Sequence, residues 1–243
     1  LVLVPGRQLK PLDTISGFQV RPGFFRFFGA TVIPGGVNFT IQSHGATSCE
    51  LLLFHRDAED PFAALKFPDN YKIGFVYSMI VFGLDIEEFE YAYRLDGPYD
   101  EKKGLRFDKT KILLDPYARA VTGQSQWGCK NNPQHSYRAR VVQNNFDWGL
   151  ERSEPIPMED LIIYELHVRG FTKSPSSGVS CPGTFKGLEE KIPYLKKLGI
   201  NAVELMPVFE FDEMRDARLI DDNELLDYWG YNPVCFFAPN TSY

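Results

Sequence analysis

The sequence predicts a multidomain β + α/β protein, an immunoglobulin-like β-sandwich over residues 18–125 followed by the opening strand-helix units of a (β/α)8 barrel over residues 159–243. Two observations predict this. Period-two alternation of apolar and polar residues dominates residues 30–120, the signature of an antiparallel sheet. After Pro157 the rhythm changes to strand, helix and strand, the βαβ pattern of a parallel sheet. Residues 1–17 are a lead-in expected to be disordered, and residues 126–158 a connecting segment.

Within the sandwich, GGVNFTIQSHG puts Val37, Phe39 and Ile41 on one face and Asn38, Thr40 and Gln42 on the other. EFEYAYRLDGP repeats this with Phe89, Tyr91, Tyr93 and Leu95 against Glu90, Ala92 and Arg94. CELLLFHR and VYSMIVFGL read as two further buried strands, with KILLDPYAR following a polar turn. Residues 122–158 show neither period. Trp127, Phe146 and Trp148 in that stretch are expected to be buried, so that the connection wraps rather than dangles.

In the second part DLIIYELHVRGF reads as a strand. TFKGLEEKIPYLKKLG reads as one helix, with Leu188, Ile192, Leu195 and Leu198 on one face, Thr184 as N-cap, Gly199 as stop and a kink at Pro193. INAVELMPV is the second strand. Glu165, His167 and Arg169 take alternate positions of the first strand and Glu204 lies in the second, so one face is polar. A helix-covered open sheet would bury those charges at high cost, whereas a barrel lumen can hold them as a polar network. A purely structural ion-pair network is the plainer account of these four.

Composition narrows the functions. A net charge of −6 argues against nucleic acid and anionic membrane surfaces as partners. LVLVPG is too short for a signal segment, and no apolar run approaches the roughly 20 residues that span a bilayer, which points to the cytoplasm. Cys49, Cys129, Cys181 and Cys235 lie far apart without a CxxC pair, and the acidic loop Phe211–Tyr228 does not have EF-hand spacing. No metal and no cofactor is therefore predicted, and no feature sets an oligomeric state.

Three stretches resemble successive landmarks of the isoamylase-type glycogen and starch debranching enzymes of the α-amylase superfamily: IIYELHVRGFT, LKKLGINAVELMPVFEF and LDYWGYNPVCFFAP. GATVIPGGVNFTIQSHGA and YAYRLDGPYDEKKGLRFDKTKILLDPYA resemble the carbohydrate-binding-module-like sandwich that precedes the barrel in that group. The resemblance implies hydrolysis of α-1,6 branch points of a branched α-glucan with retention, which uses two carboxyl groups about 5 Å apart. In the family these lie on the fourth and fifth strands. From Glu159 onward the chain has 85 residues, room for two of the eight strands, so no catalytic residue is assigned and Glu165 and Glu204, within strands, are not taken as substitutes.

The resemblance makes Tyr231 the ring that stacks on the sugar at the cleavage subsite, with Trp229 and Asn232 as further substrate-binding residues. Chemically, a pyranose has an apolar face that packs on an aromatic plane while its hydroxyls find polar partners. The plainer reading is that Tyr228, Trp229 and Tyr231 pack beneath their own loop. A non-catalytic glucan-binding or regulatory module is the alternative function, although the sandwich shows no obvious exposed tryptophan pair.

Overall fold

The computed structural model describes residues 9–122, 126–129, 137–143, 145–149 and 155–243. The chain divides into two units, Leu1–Gly123 with Asn131–Gln143, and Gln124–Lys130 with Asn144–Tyr243.

The strands of the first unit are β1 (Asp13–Ile15), β2 (Phe18–Pro22), β3 (Gly29–Ile33), β4 (Gly36–Gln42), β5 (Ser48–His55), β6 (Ala63–Lys66), β7 (Lys72–Ile73), β8 (Val76–Phe82), β9 (Phe89–Asp96), β10 (Tyr99–Asp100), β11 (Leu105–Arg106), β12 (Ala120–Thr122) and β13 (Arg138–Arg140). One antiparallel sheet has the order β1-β2-β8-β4-β3, with β7 also on β8; the other runs β12-β13-β9-β5-β6. Alternation builds the core between them: Val37, Phe39 and Ile41 of β4 are buried, and Phe39 meets Tyr91 of β9 edge-on at 5.1 Å between ring centroids.

The opposite face of β4 is not wet along its length. Asn38 and Thr40 are buried with Ser78 of β8, and their polar atoms satisfy one another. Asn38 Nδ2 donates to Thr40 Oγ1 at 3.0 Å, Thr40 Oγ1 lies 2.6 Å from Ser78 Oγ, and Phe24 N donates to Asn38 Oδ1 at 2.7 Å. Only Gln42 of the three predicted polar residues is exposed.

Three expectations are corrected here. The lead-in is partly structured: residues 1–8 lie outside the described residues, but β1 pairs with β2 through Ser16–Gly17, both at positive φ as a two-residue hairpin turn demands. The connecting segment supplies a strand, because β13 pairs with β12 and with β9 and extends the second sheet. Finally, Phe146 and Trp148 are not buried but 68% and 84% exposed, packed on each other with ring centroids 4.8 Å apart.

One buried acid makes the sandwich sensitive to pH. Asp115 accepts from Tyr91 Oη and from Tyr117 N, both at 2.8 Å, yet burial outweighs these bonds and pushes its pKa up to about 6 from 3.8. A raised folded value means stability that is full below the unfolded pKa and is lost as pH rises through about 6. The expected loss is about 2 kcal/mol between pH 4 and pH 7. Thermal unfolding of Asp115→Asn should lack that part of the pH slope, and equal slopes in the two proteins would refute it.

In the second unit β14 (Ile163–Leu166) and β15 (Ala202–Leu205) pair in parallel, from Ile163 opposite Ala202 to Leu166 opposite Leu205. Between them lie α1 (Val168–Thr172), α2 (Phe185–Glu189) and α3 (Ile192–Leu198). The single predicted helix is thus two. Thr184 Oγ1 accepts from Gly187 N at 3.1 Å and Gly199 ends the run at φ +91°, as expected. Pro193, however, starts a new helix instead of kinking one, because in the first turn its missing N–H has no helical partner to lose.

Beyond β15 come β16 (Phe209–Phe211), β17 (Arg218–Ile220), β18 (Asn223–Leu225) and β19 (Pro233–Pro239). The acidic loop is a hairpin of β17 and β18, turned by Asp221 and Asp222 at φ +48° and +62°. β16 pairs with β19. Among the described residues no helix is long and apolar enough to cross a membrane.

Candidate functional site

β14 ends at Leu166 because its partner runs into Met206 and Pro207; Met206 N makes the last bond, to Leu166 O at 2.9 Å, and proline has no N–H to continue the ladder. The chain turns helical at once. His167, extended at φ −94°, caps α1 with Nδ1 accepting from Gly170 N at 3.1 Å. Only Glu165 of the three alternating residues is therefore on a strand, a correction with a definite cause: imidazole capping replaces strand pairing.

The four residues expected as one polar network separate into two places. Glu165 and Glu204 sit opposite each other on β14 and β15 and are exposed, whereas His167 and Arg169 enter an aromatic cluster. Among the described residues no hydrogen bond or ion pair joins the two acids to the two bases.

The cluster is built on Val168, Phe211 and Tyr243, with Trp127, Phe185, Leu188 and Val208 packed against them. Arg169 lies over Trp127 at 4.3 Å, and Trp127 stacks on Tyr243 with centroids 6.0 Å apart. The His167 ring stacks on Tyr228 at 4.1 Å and 9°, and Nε2 lies 2.7 Å from Tyr228 O. Gly170 makes room for this: a Cβ there would stand 2.2 Å from Tyr228 Oη. Burial lowers the His167 pKa, the Tyr228 carbonyl opposes that shift, and Arg169 adds to it.

The loop Asp227–Asn232 leaves this cluster for β19. Asp227 Oδ1 accepts from Trp229 N at 3.2 Å and Gly230 N at 3.3 Å, and Asp227 N donates to Glu213 O at 2.9 Å. Gly230 is buried against Phe211, while Trp229 and Tyr231 are 54% and 68% exposed. Asn232, also exposed, accepts from Arg215 Nη1 at 3.5 Å. The loop therefore presents Trp229, Tyr231 and Asn232 instead of folding over them, an aromatic face beside an amide.

Sequence reasoning missed the supports of this loop. His167, Gly170 and Trp127 carry no periodic signal that ties them to Tyr228. It also missed two buried acids: burial pushes Glu210 up to about 7 and raises Glu213. Glu210 Oε2 accepts from Thr241 N at 2.7 Å, and Glu213 Oε1 from Asn240 Nδ2 at 3.3 Å and Ser242 Oγ at 3.2 Å. Among the described residues no three His, Cys, Asp or Glu side chains converge to hold a metal ion.

Residues 27–118 match the model of carbohydrate-binding module 48, the isoamylase N-terminal domain. Over nearly its whole length the chain is similar to isoamylase-type debranching enzymes. It is 34% identical to isoamylase 1, chloroplastic, of Arabidopsis thaliana, covering 96% of this chain and 31% of that protein. It is likewise 34% identical to the glycogen operon protein GlgX homolog of Mycobacterium tuberculosis, over 92% of this chain and 33% of that one. A pullulanase from Anoxybacillus sp. LM18-11, solved with maltotetraose, superposes with a TM-score of 0.65 at 28% identity, covering 89% of this chain and 29% of its own. The chain thus spans about a third of the length of the relatives it matches.

Proposed function

We propose that this chain is the N-terminal, glucan-facing part of a cytoplasmic glycoside hydrolase that cleaves α-1,6 branch points of glycogen or a starch-like α-glucan with retention. In this reading β14, the helices and β15 open a (β/α)8 barrel whose later strands carry the nucleophile and the general acid/base. Tyr231 is the sugar-stacking ring, Trp229 flanks it and Asn232 offers its amide to a hydroxyl. The observation that carries the proposal is the exposure of Tyr231, 68%, on a loop whose neighbour Gly230 is buried. A ring held outward by a fixed backbone loses little freedom when a pyranose packs on it.

Tyr231→Ala is expected to weaken maltotetraose binding to the 243-residue chain about tenfold, the worth of one stacked ring. Titration calorimetry measures this, and unchanged affinity would remove Tyr231 from the site. Glycogen incubated with the chain should release no linear maltodextrins; their release would overturn the placement of the catalytic carboxyls on later strands. Glycogen retention that survives Tyr231→Ala would instead locate binding in residues 27–118 and favour the non-catalytic module.

A further inference from the structure

The Tyr228–Asn232 loop meets the start of α1 at His167, a side chain on which five contacts converge. His167 Nδ1 accepts from Gly170 N at 3.1 Å, so that nitrogen carries a lone pair and the proton is on Nε2. Nε2–H then donates to Tyr228 O at 2.7 Å, with Tyr243 Oη 3.2 Å from the same nitrogen. The ring face covers Tyr228 at 4.1 Å, and Trp229 stands edge-on at 6.4 Å.

We infer that His167 is a positioning residue: in its neutral Nε2–H form it bolts the Tyr228–Asn232 loop to α1 and so sets the direction in which Tyr231 is presented. Either bond alone would leave freedom. Without the Gly170 cap the ring could turn about its bond to Cβ, and without the Tyr228 bond the loop would rest on stacking alone. The functional consequence rests on Tyr231 being a sugar platform, but the bolt itself does not.

Protonation removes one of its two bonds. A second proton goes to Nδ1, which then faces the Gly170 N–H donor with a donor of its own, and the cap is lost. The ionisable groups around the ring are Arg169 on α1, Tyr228 and Asp227 on the loop, Tyr243 on the last turn, and Glu213 beside Arg169 and Tyr243. Burial and Arg169 hold the ring neutral at neutral pH. Because the folded pKa is depressed, the contribution is full above the unfolded value of 6.5 and is lost as pH falls through the folded one.

The test is amide hydrogen exchange of the whole chain, read at Trp229 and Gly230, both bonded to Asp227 Oδ1. Asparagine reproduces the Nδ1 acceptor but not the reach to Tyr228 O; glutamine reproduces the Nε2 donor. His167→Asn should therefore speed exchange at the two amides about tenfold at pH 7.5 while α1 stays protected. His167→Gln, which keeps the Tyr228 bond and loses the Gly170 cap, should speed exchange less, about threefold. In the parent, protection corrected for intrinsic rates should fall as pH drops below 6.5 toward the level of His167→Gln, because the imidazolium likewise keeps the Nε2–H bond and loses the cap, while His167→Gln itself stays flat. That pH profile needs no substitution and stands even if a variant misfolds. Parent-like loop protection in His167→Asn, equal loosening in both variants, or a flat parent profile would each overturn the inference. Exchange is read without sugar, so loss of the Tyr231 binding effect would sink the proposed function and leave this result intact.

Discussion

Arg138→Ala is expected to destabilise the sandwich by about 3–5 kcal/mol, enough to unfold a domain of ordinary stability at moderate temperature. The Arg138 and Glu90 side chains are 4% and 5% exposed, with Nη1 3.7 Å from Glu90 Oε2. Arg138 also donates to Ala58 O, and through Nη2 to Glu59 O at 3.0 Å, and its guanidinium lies 3.8 Å from the centre of the Phe54 ring. One side chain thus neutralises a buried carboxylate, holds the turn after β5 and covers a core aromatic ring. Truncation leaves Glu90 charged and alone, and that desolvated carboxylate, more than the lost attraction, sets the size of the effect.

The control follows from the same reasoning. Replacing both partners removes the stranded charge, so Arg138→Met with Glu90→Gln should recover much of the loss seen in Arg138→Ala. Denaturant unfolding of the single and double variants measures this. A double variant as unstable as the sum of its singles would mean that the ion pair is incidental and that the bonds to Ala58 and Glu59 carry the stability.

Arg138 also shows where sequence reading stops. β4 and β9 were legible through alternation of apolar and polar residues, and β5 and β8 through short apolar runs that mark strands buried on both faces. β13 reads Arg-Ala-Arg, because one of its two buried positions is filled by an arginine whose partner lies 48 residues away, and no local pattern records a long-range ion pair. β1 and β2 depend on a two-residue turn, and β17 and β18 on two aspartates at positive φ, so neither hairpin shows in hydrophobic spacing. The helix caps at Thr184 and Gly199 were legible, being local chemistry, and so was the parallel pairing of β14 with β15. In the candidate site Trp229, Tyr231 and Asn232 were singled out through a motif. Their supports, His167, Gly170 and Trp127, were not, because the contacts that join them to Tyr228 span 58 to 101 positions of sequence.

Gly230→Ala is expected to cost the second unit about 2–4 kcal/mol and to weaken glucan binding at least as much as Tyr231→Ala. Two independent demands fall on this residue. Its φ of +75° is one that side chains rarely adopt, worth about 1 kcal/mol, and a Cβ would stand 2.8 Å from two atoms of the Phe211 ring. Phe211 cannot move aside, since it is fully buried and packs against Trp127 and Tyr243 at 5.8 and 6.3 Å between centroids. The backbone must therefore shift, and it carries Trp229 and Tyr231 with it. The glycine between the two exposed rings is what lets the loop press its backbone on the core while both side chains face out. Melting of the second unit together with maltotetraose titration tests this. An alanine variant that melts and binds like the parent would show that the loop tolerates another backbone path and that the fixed presentation of Tyr231 is not required.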